Sequence, residues 1–186
     1  MRQTQLASPN VKARLAGAFY LLSVFTAVLA ETFVRGRLLY AVGLIPVLCF
    51  TGVTLLLYGI FRPVNRTVSF LAASANLVGL SFEALELHLL GLNMALVFHG
   101  IYCLLIGYLV FRSTFLPRTL GVLMALAGLT WLTSLSPPLA HHLAPYNQAV
   151  GFLGEGALML WLLVMGVNLQ QWNRTASETF PSIPSS

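Results

Sequence analysis

The sequence predicts an all-α membrane protein, a polytopic bundle of about six transmembrane helices with both termini in the cytoplasm. Composition is the first reason. Hydrophobic residues make up 58% of the 186 positions and charged residues only 8%, which excludes both a soluble globular domain and a disordered chain. Spacing is the second, because apolar runs of roughly 20 residues recur between short polar breaks and leave no room for a separate soluble domain. The third is charge. Alternate sides receive Arg2, Lys12, Arg14, Arg62, Arg66, Arg112, Arg118 and Arg174 against only Arg35 and Arg37, and the basic-rich side faces the cytoplasm.

Residues 1–13 are polar and contain Pro9, so they are expected to form a short cytoplasmic tail. The transmembrane domain then covers residues 14–169. Its first helix is placed at 14–33. Lys12 and Arg14 before an apolar run ending in Val28-Leu29-Ala30 also fit a signal peptide cleaved after residue 30. The run is long enough to span, however, and carries Tyr20 and Ser23, so it is read as a retained span. The second helix is placed at 38–61, with a kink at Pro46. Pro63 makes residues 62–66 a firm break. The third helix is 68–90, an uncharged turn follows at 91–93, and the fourth helix is 94–111. Residues 112–118 form a loop ending in Pro117, which suits the start of the fifth helix at 119–135. Pro137, Pro138 and Pro145 stiffen a loop holding His141 and His142, and the sixth helix spans 147–169. The Ser- and Pro-rich tail, 170–186, is expected to be disordered and cytoplasmic.

The net charge of +5 does not indicate nucleic acid. The basic residues flank helices without forming a dense run and serve as topology signals, so the expected partner is the lipid bilayer. Cys49 and Cys103 fall mid-helix in apolar surroundings and read as small packing residues. The glycines at 17, 100, 107, 121, 128 and 166 read as helix-packing sites.

The acidic residues are the informative ones. Of five, Glu31, Glu83, Glu86 and Glu155 fall in predicted helices, and only Glu178 lies in a tail. A carboxylate at bilayer depth costs roughly 2.5–3.5 kcal/mol on insertion scales, so each needs an explanation. The alternating topology puts Glu83, Glu86, His99 and Glu155 in the outer half of the bilayer, with Glu31 and Arg35 at the outer surface. At about 100° per residue, Ser69, Ala72, Asn76, Gly79, Glu83 and Glu86 share one stripe of the third helix. Tyr20, Ser23, Ala27 and Glu31 share a stripe of the first, and Gln148, Gly151 and Glu155 of the sixth. His99 shares a face with Tyr102 and Cys103. These stripes face the bundle interior, because lipid offers a polar group no partner. His88 falls off the stripe of Glu83 and Glu86 and is placed at the interface.

The expectation is a pocket lined by Glu83, Glu86, His99, Glu155 and Asn76, with Glu31, Arg35 and Tyr20 at its mouth. One reading is that it binds a proton, cation or small polar solute for transport or sensing. A second is that Glu83, Glu86, His99 and Glu155 hold a divalent metal whose bound water hydrolyses a lipid. The Glu-x-x-His and His-Glu-x-x-His signatures of such sites are absent, and no cofactor is assigned. A third is a structural or partner-binding subunit, in which these groups only join helices. The sequence has no Gly-rich phosphate loop, nucleophile elbow or Cys-x-x-Cys pair, which points away from an enzyme.

A family resemblance rests on several short motifs in order. They are Ala13-Arg14-Leu15-Ala16-Gly17 with Tyr20-Leu21-Leu22, the segment 31–35, Arg62-Pro63-Val64-Asn65-Arg66, and the run from His99 to Leu109. They continue with Phe111-Arg112-Ser113, Leu116-Pro117-Arg118, Gly154-Glu155 and Leu160-Trp161-Leu162-Leu163. Together they resemble the bacterial membrane family catalogued as domain of unknown function 4386. The resemblance implies about six helices in the bacterial inner membrane and a retained first helix, and brings no activity with it. Glu31, His99 and Glu155 fall on its motifs. Its members carry a longer outer connection between the first two helices than residues 34–37 provide here.

Overall fold

The computed structural model describes residues 8–33, 37–86 and 92–179. Seven α-helices run through them: α1 (Pro9–Phe33), α2 (Arg37–Phe61), α3 (Arg66–Ala84), α4 (Met94–Arg112), α5 (Arg118–Leu132), α6 (Pro137–Val164) and α7 (Leu169–Thr179), with a single 3-10 turn at Thr133–Leu135. The first six are long and apolar enough to cross a bilayer, and the chain is a multi-pass membrane protein. Each of these six packs against its chain neighbours, and α1 packs against α6, so the bundle closes into a ring in chain order. Short connections favour such neighbour-to-neighbour packing.

Close backbone approach holds the ring together. A Cβ on Gly107 would stand 2.8 Å from the carbonyl oxygen of Gly121, and one on Gly128 would stand 2.8 Å from that of Gly100, so α4 and α5 touch along their length. A Cβ on Gly17 would meet the Leu163 backbone nitrogen at 2.7 Å, where α1 closes on α6. With no apolar gain between helices in lipid, small residues at such contacts supply the packing. Gly166, grouped with them by the sequence, has another role. It follows α6 at φ +68 and its N–H reaches Trp161 O at 3.0 Å, the left-handed helix ending that favours glycine. Leu57, Ile106, Leu109, Leu158 and Leu162 fill the centre, while Phe25, Leu48, Phe70, Leu153 and Leu160 face outward, as a lipid-embedded surface requires.

Five boundaries differ from the sequence expectation, one being the end of α6, which stops at Val164 rather than at 169, with Met165 N–H bonded back to Trp161 O at 2.8 Å. α1 starts at Pro9, inside the expected tail: the Ser8 hydroxyl caps Val11 N–H at 3.4 Å, and a proline at the first helical position gives up no hydrogen bond. α6 starts at Pro137, where prolines in the first turn again give up no hydrogen bond, so the expected loop with His141 and His142 is helical and Pro145 lies inside the helix. α3 stops at Ala84, where Leu85 N–H bonds back to Ser81 O at 3.1 Å and Glu86 takes a φ of +49. Finally, the tail expected to be disordered at 170–186 is helical as far as Thr179, within α7. Asn168 caps it through Gln171 N–H at 3.2 Å, and Trp172 Nε1 donates to Ile60 O at 2.9 Å, tying it to the end of α2.

Candidate functional site

Five helices bring polar side chains to one point inside the ring. Tyr20 comes from α1, Asn76 from α3, His99 and Cys103 from α4, Trp131 from α5 and Glu155 from α6. The local reasons are facial. On α3 the stripe of Ser69, Ala72, Asn76 and Gly79 is buried, as lipid exclusion demands. On α4 His99 and Cys103 lie one turn apart on the same side. On α6 Gly151 and Glu155 do the same, and Gly151 leaves the space that the Trp131 indole enters. A Cβ there would stand 2.5 Å from Trp131 Cζ2.

Glu155 is the hub. It is only 7% exposed, and its carboxylate accepts hydrogen bonds from the Tyr20 hydroxyl at Oε2 and from Trp131 Nε1 at Oε1, the latter at 2.6 Å. Its Oε1 also lies 3.0 Å from His99 Nε2. On the other side of the imidazole a relay of buried side chains runs through α3 to α2. Thr54 Oγ1 donates to Phe50 O at 2.9 Å and so accepts from Asn76 Nδ2 at 2.6 Å. Asn76 Oδ1 then faces His99 Nδ1 at 3.3 Å. The opposite amide orientation would cost the bond from Thr54 to Phe50, so the relay places a hydrogen on Nδ1. Cys103 Sγ completes the cluster 3.6 Å from His99 Nε2.

A cavity of about 330 Å³ opens beside this cluster. Tyr20, His99, Glu155 and Glu83 are among its polar lining residues, and Val28, Val47, Phe50 and Phe152 are among its apolar ones. Phe50 packs edge-on against Tyr20 at 4.9 Å between centroids and lies 5.4 Å from His99, which fixes both rings.

The residues expected at the pocket therefore divide. Asn76, His99, Glu155 and Tyr20 converge, with Tyr20 bonded to Glu155 at the hub where the sequence placed it at the mouth. Glu83 lines the same cavity but is exposed on its rim. Glu86 lies beyond the end of α3, exposed, and is not among the residues lining the cavity. Arg35, His88 and the side chain of Glu31 lie outside the described residues. The longer α6 also puts Glu155 nine residues before that helix ends at Val164 rather than near its start. Sequence reasoning missed Trp131, Thr54 and the part played by Cys103. The four-residue interval from His99 to Cys103 was the one available signal.

Comparison with known proteins narrows the lineage without adding an activity. Residues 79–166 match the family model described as Domain of unknown function (DUF4386). The DUF4386 region contains His99, Cys103, Trp131 and Glu155, while Tyr20, Thr54 and Asn76 precede it. An uncharacterized protein of Archaeoglobus fulgidus is 27% identical over 130 residues, which cover 64% of this chain and 78% of that relative. No solved structure matches the chain.

Proposed function

We propose that this membrane protein binds a small cation in the cavity against Glu155 and His99, as a step of transport or sensing. One observation carries the reading. With a hydrogen on Nδ1, a neutral His99 would turn a lone pair at Nε2 toward a carboxylate oxygen 3.0 Å away that already accepts from Trp131. Two acceptors at that distance repel unless positive charge lies between them. A proton fills that role when nothing else does, and a cation arriving through the cavity takes its place. A lone carboxylate in a membrane helix is costly, so a group held by three neighbours and facing a cavity fits ligand binding better than a joint between helices.

The distribution of charge supports an orientation. Lys12, Arg14, Arg62, Arg66, Arg112, Arg118 and Arg174 fall at the end of the bundle where α1 begins and α7 lies, which supports a cytoplasmic position for that end and for both termini. The family resemblance supports reading that membrane as the bacterial inner membrane. Calorimetric titration of the detergent-purified chain with sodium, potassium, magnesium, zinc and choline chlorides tests the proposal. At least one of these should give saturable binding that Glu155→Gln weakens tenfold or more. Saturable binding of none, or binding that Glu155→Gln leaves unchanged, overturns it.

A further inference from the structure

Resting on that cation reading, we infer that the cation is a divalent transition metal of zinc-like preference, held by His99 Nε2, Cys103 Sγ and a Glu155 carboxylate oxygen. These three donor atoms lie within 4.8 Å of one another. At zinc bond lengths and tetrahedral angles, nitrogen and sulfur stand about 3.6 Å apart and nitrogen and oxygen about 3.4 Å apart. The corresponding separations are 3.6 Å and 3.0 Å. The first edge already fits, and the second opens by a few tenths of an ångström when a metal replaces the proton.

Donor chemistry selects the class of ion. Sodium, magnesium and calcium prefer oxygen ligands, whereas thiolate with imidazole suits zinc and its neighbours. Charge agrees, because one thiolate and one carboxylate neutralise a divalent ion, and a neutral centre suits the middle of a membrane bundle. The surroundings have the form of an outer ligand shell: Asn76 accepts from His99 Nδ1 and aims Nε2 at the cluster, while Trp131 and Tyr20 hold the carboxylate. Hydrogen-bond partners of this kind orient the ligands of protein metal sites. Three protein ligands leave a fourth position, and the cavity reaches the cluster at His99 and Glu155. This set replaces Glu83 and Glu86 of the sequence expectation by Cys103.

Cobalt(II) titration of the purified full-length chain provides the test. The expected result is about one cobalt per chain with a near-ultraviolet thiolate-to-cobalt charge-transfer band. The band should vanish in Cys103→Ser and persist in Cys49→Ser, whose cysteine lies in α2 away from the cluster. X-ray absorption of the zinc-loaded wild type, which needs no variant, should show one sulfur at about 2.3 Å among nitrogen or oxygen ligands. A band that follows Cys49, or a bound metal with no sulfur neighbour, overturns the inference. Binding of magnesium, potassium or choline at Glu155 without any cobalt band overturns the metal and leaves the cation reading standing. Binding of none of these ions overturns both.

Discussion

Two acidic regions of this protein look alike in sequence and differ in space. Glu83 and Glu86 sit three residues apart near the end of one helix, the densest pair of carboxylates in the chain. Glu155 stands alone on α6, yet it is Glu155 that receives Tyr20 from α1, His99 from α4 and Trp131 from α5. The contrast teaches that a buried polar site is made by convergence of helices, each contributing one group, more than by acids accumulated on one face. A single helix can place carboxylates at chosen depths, but their hydrogen-bond partners must come from its neighbours.

The largest expected effect tests that contrast directly. Glu155→Ala removes the common acceptor of three side chains and leaves their polar atoms without their partner inside the bundle. A loss of about 3–5 kcal/mol in unfolding free energy is expected, the scale for breaking a buried pair by deleting one member. Glu83→Ala, at the exposed rim, should change stability by no more than about 0.5 kcal/mol. Denaturant unfolding of both variants in the same detergent gives the comparison. Equal losses would mean that the rim carboxylate is as deeply committed as the hub and would erase the distinction.

Intermediate effects come from the packing that positions the hub. Gly151 and Gly156 lie five residues apart on α6, but a Cβ on Gly151 meets the Trp131 indole at 2.5 Å and one on Gly156 meets nothing within 4 Å. Gly151→Ala should push Trp131 off Glu155, costing about 1–3 kcal/mol through overpacking and weakening cation binding measured by calorimetry. Gly156→Ala should be neutral or stabilising by up to about 1 kcal/mol, since it adds helix propensity in open space. If both alanines left cation affinity untouched, Trp131 would be a packing residue and not a support of the site.

Much of this arrangement was legible in the sequence because lipid imposes a simple rule on each helix face. The stripe on α3 through Asn76 and Gly79 follows from periodicity within one helix, the glycines of α4 and α5 read as packing sites, and His99 and Glu155 stand out as ionisable groups in apolar helices. What periodicity does not contain is which faces meet. Trp131 lies at helical spacing from Met124, Ala127 and Gly128, so it looks like one more packing residue until α6 places Gly151 against it. Cys103 likewise reads as apolar filling until Glu155 arrives beside His99. Helix ends escaped for a different reason. The prolines at 137 and 138 are start signals as well as breakers, and the end of α3 at Ala84 depends on the local backbone at Leu85 and Glu86, which no apolar pattern reports.

The smallest expected effect separates the two acids of α3 from each other. Glu83 lines the cavity, so its carboxylate acts on a cation entering there, through a path partly screened by water. Glu86 lies past the helix end at φ +49, outside the lining of that cavity. Glu83→Gln should therefore reduce the association rate or affinity for the cation only severalfold, and more at low ionic strength than at high. Glu86→Gln should leave both unchanged at either salt concentration. Stopped-flow or calorimetric binding at two ionic strengths reads the difference. An equal, salt-dependent loss in the two variants would show that their charges act together as a field at the mouth. The sharp boundary drawn by the end of α3 would then have no functional meaning.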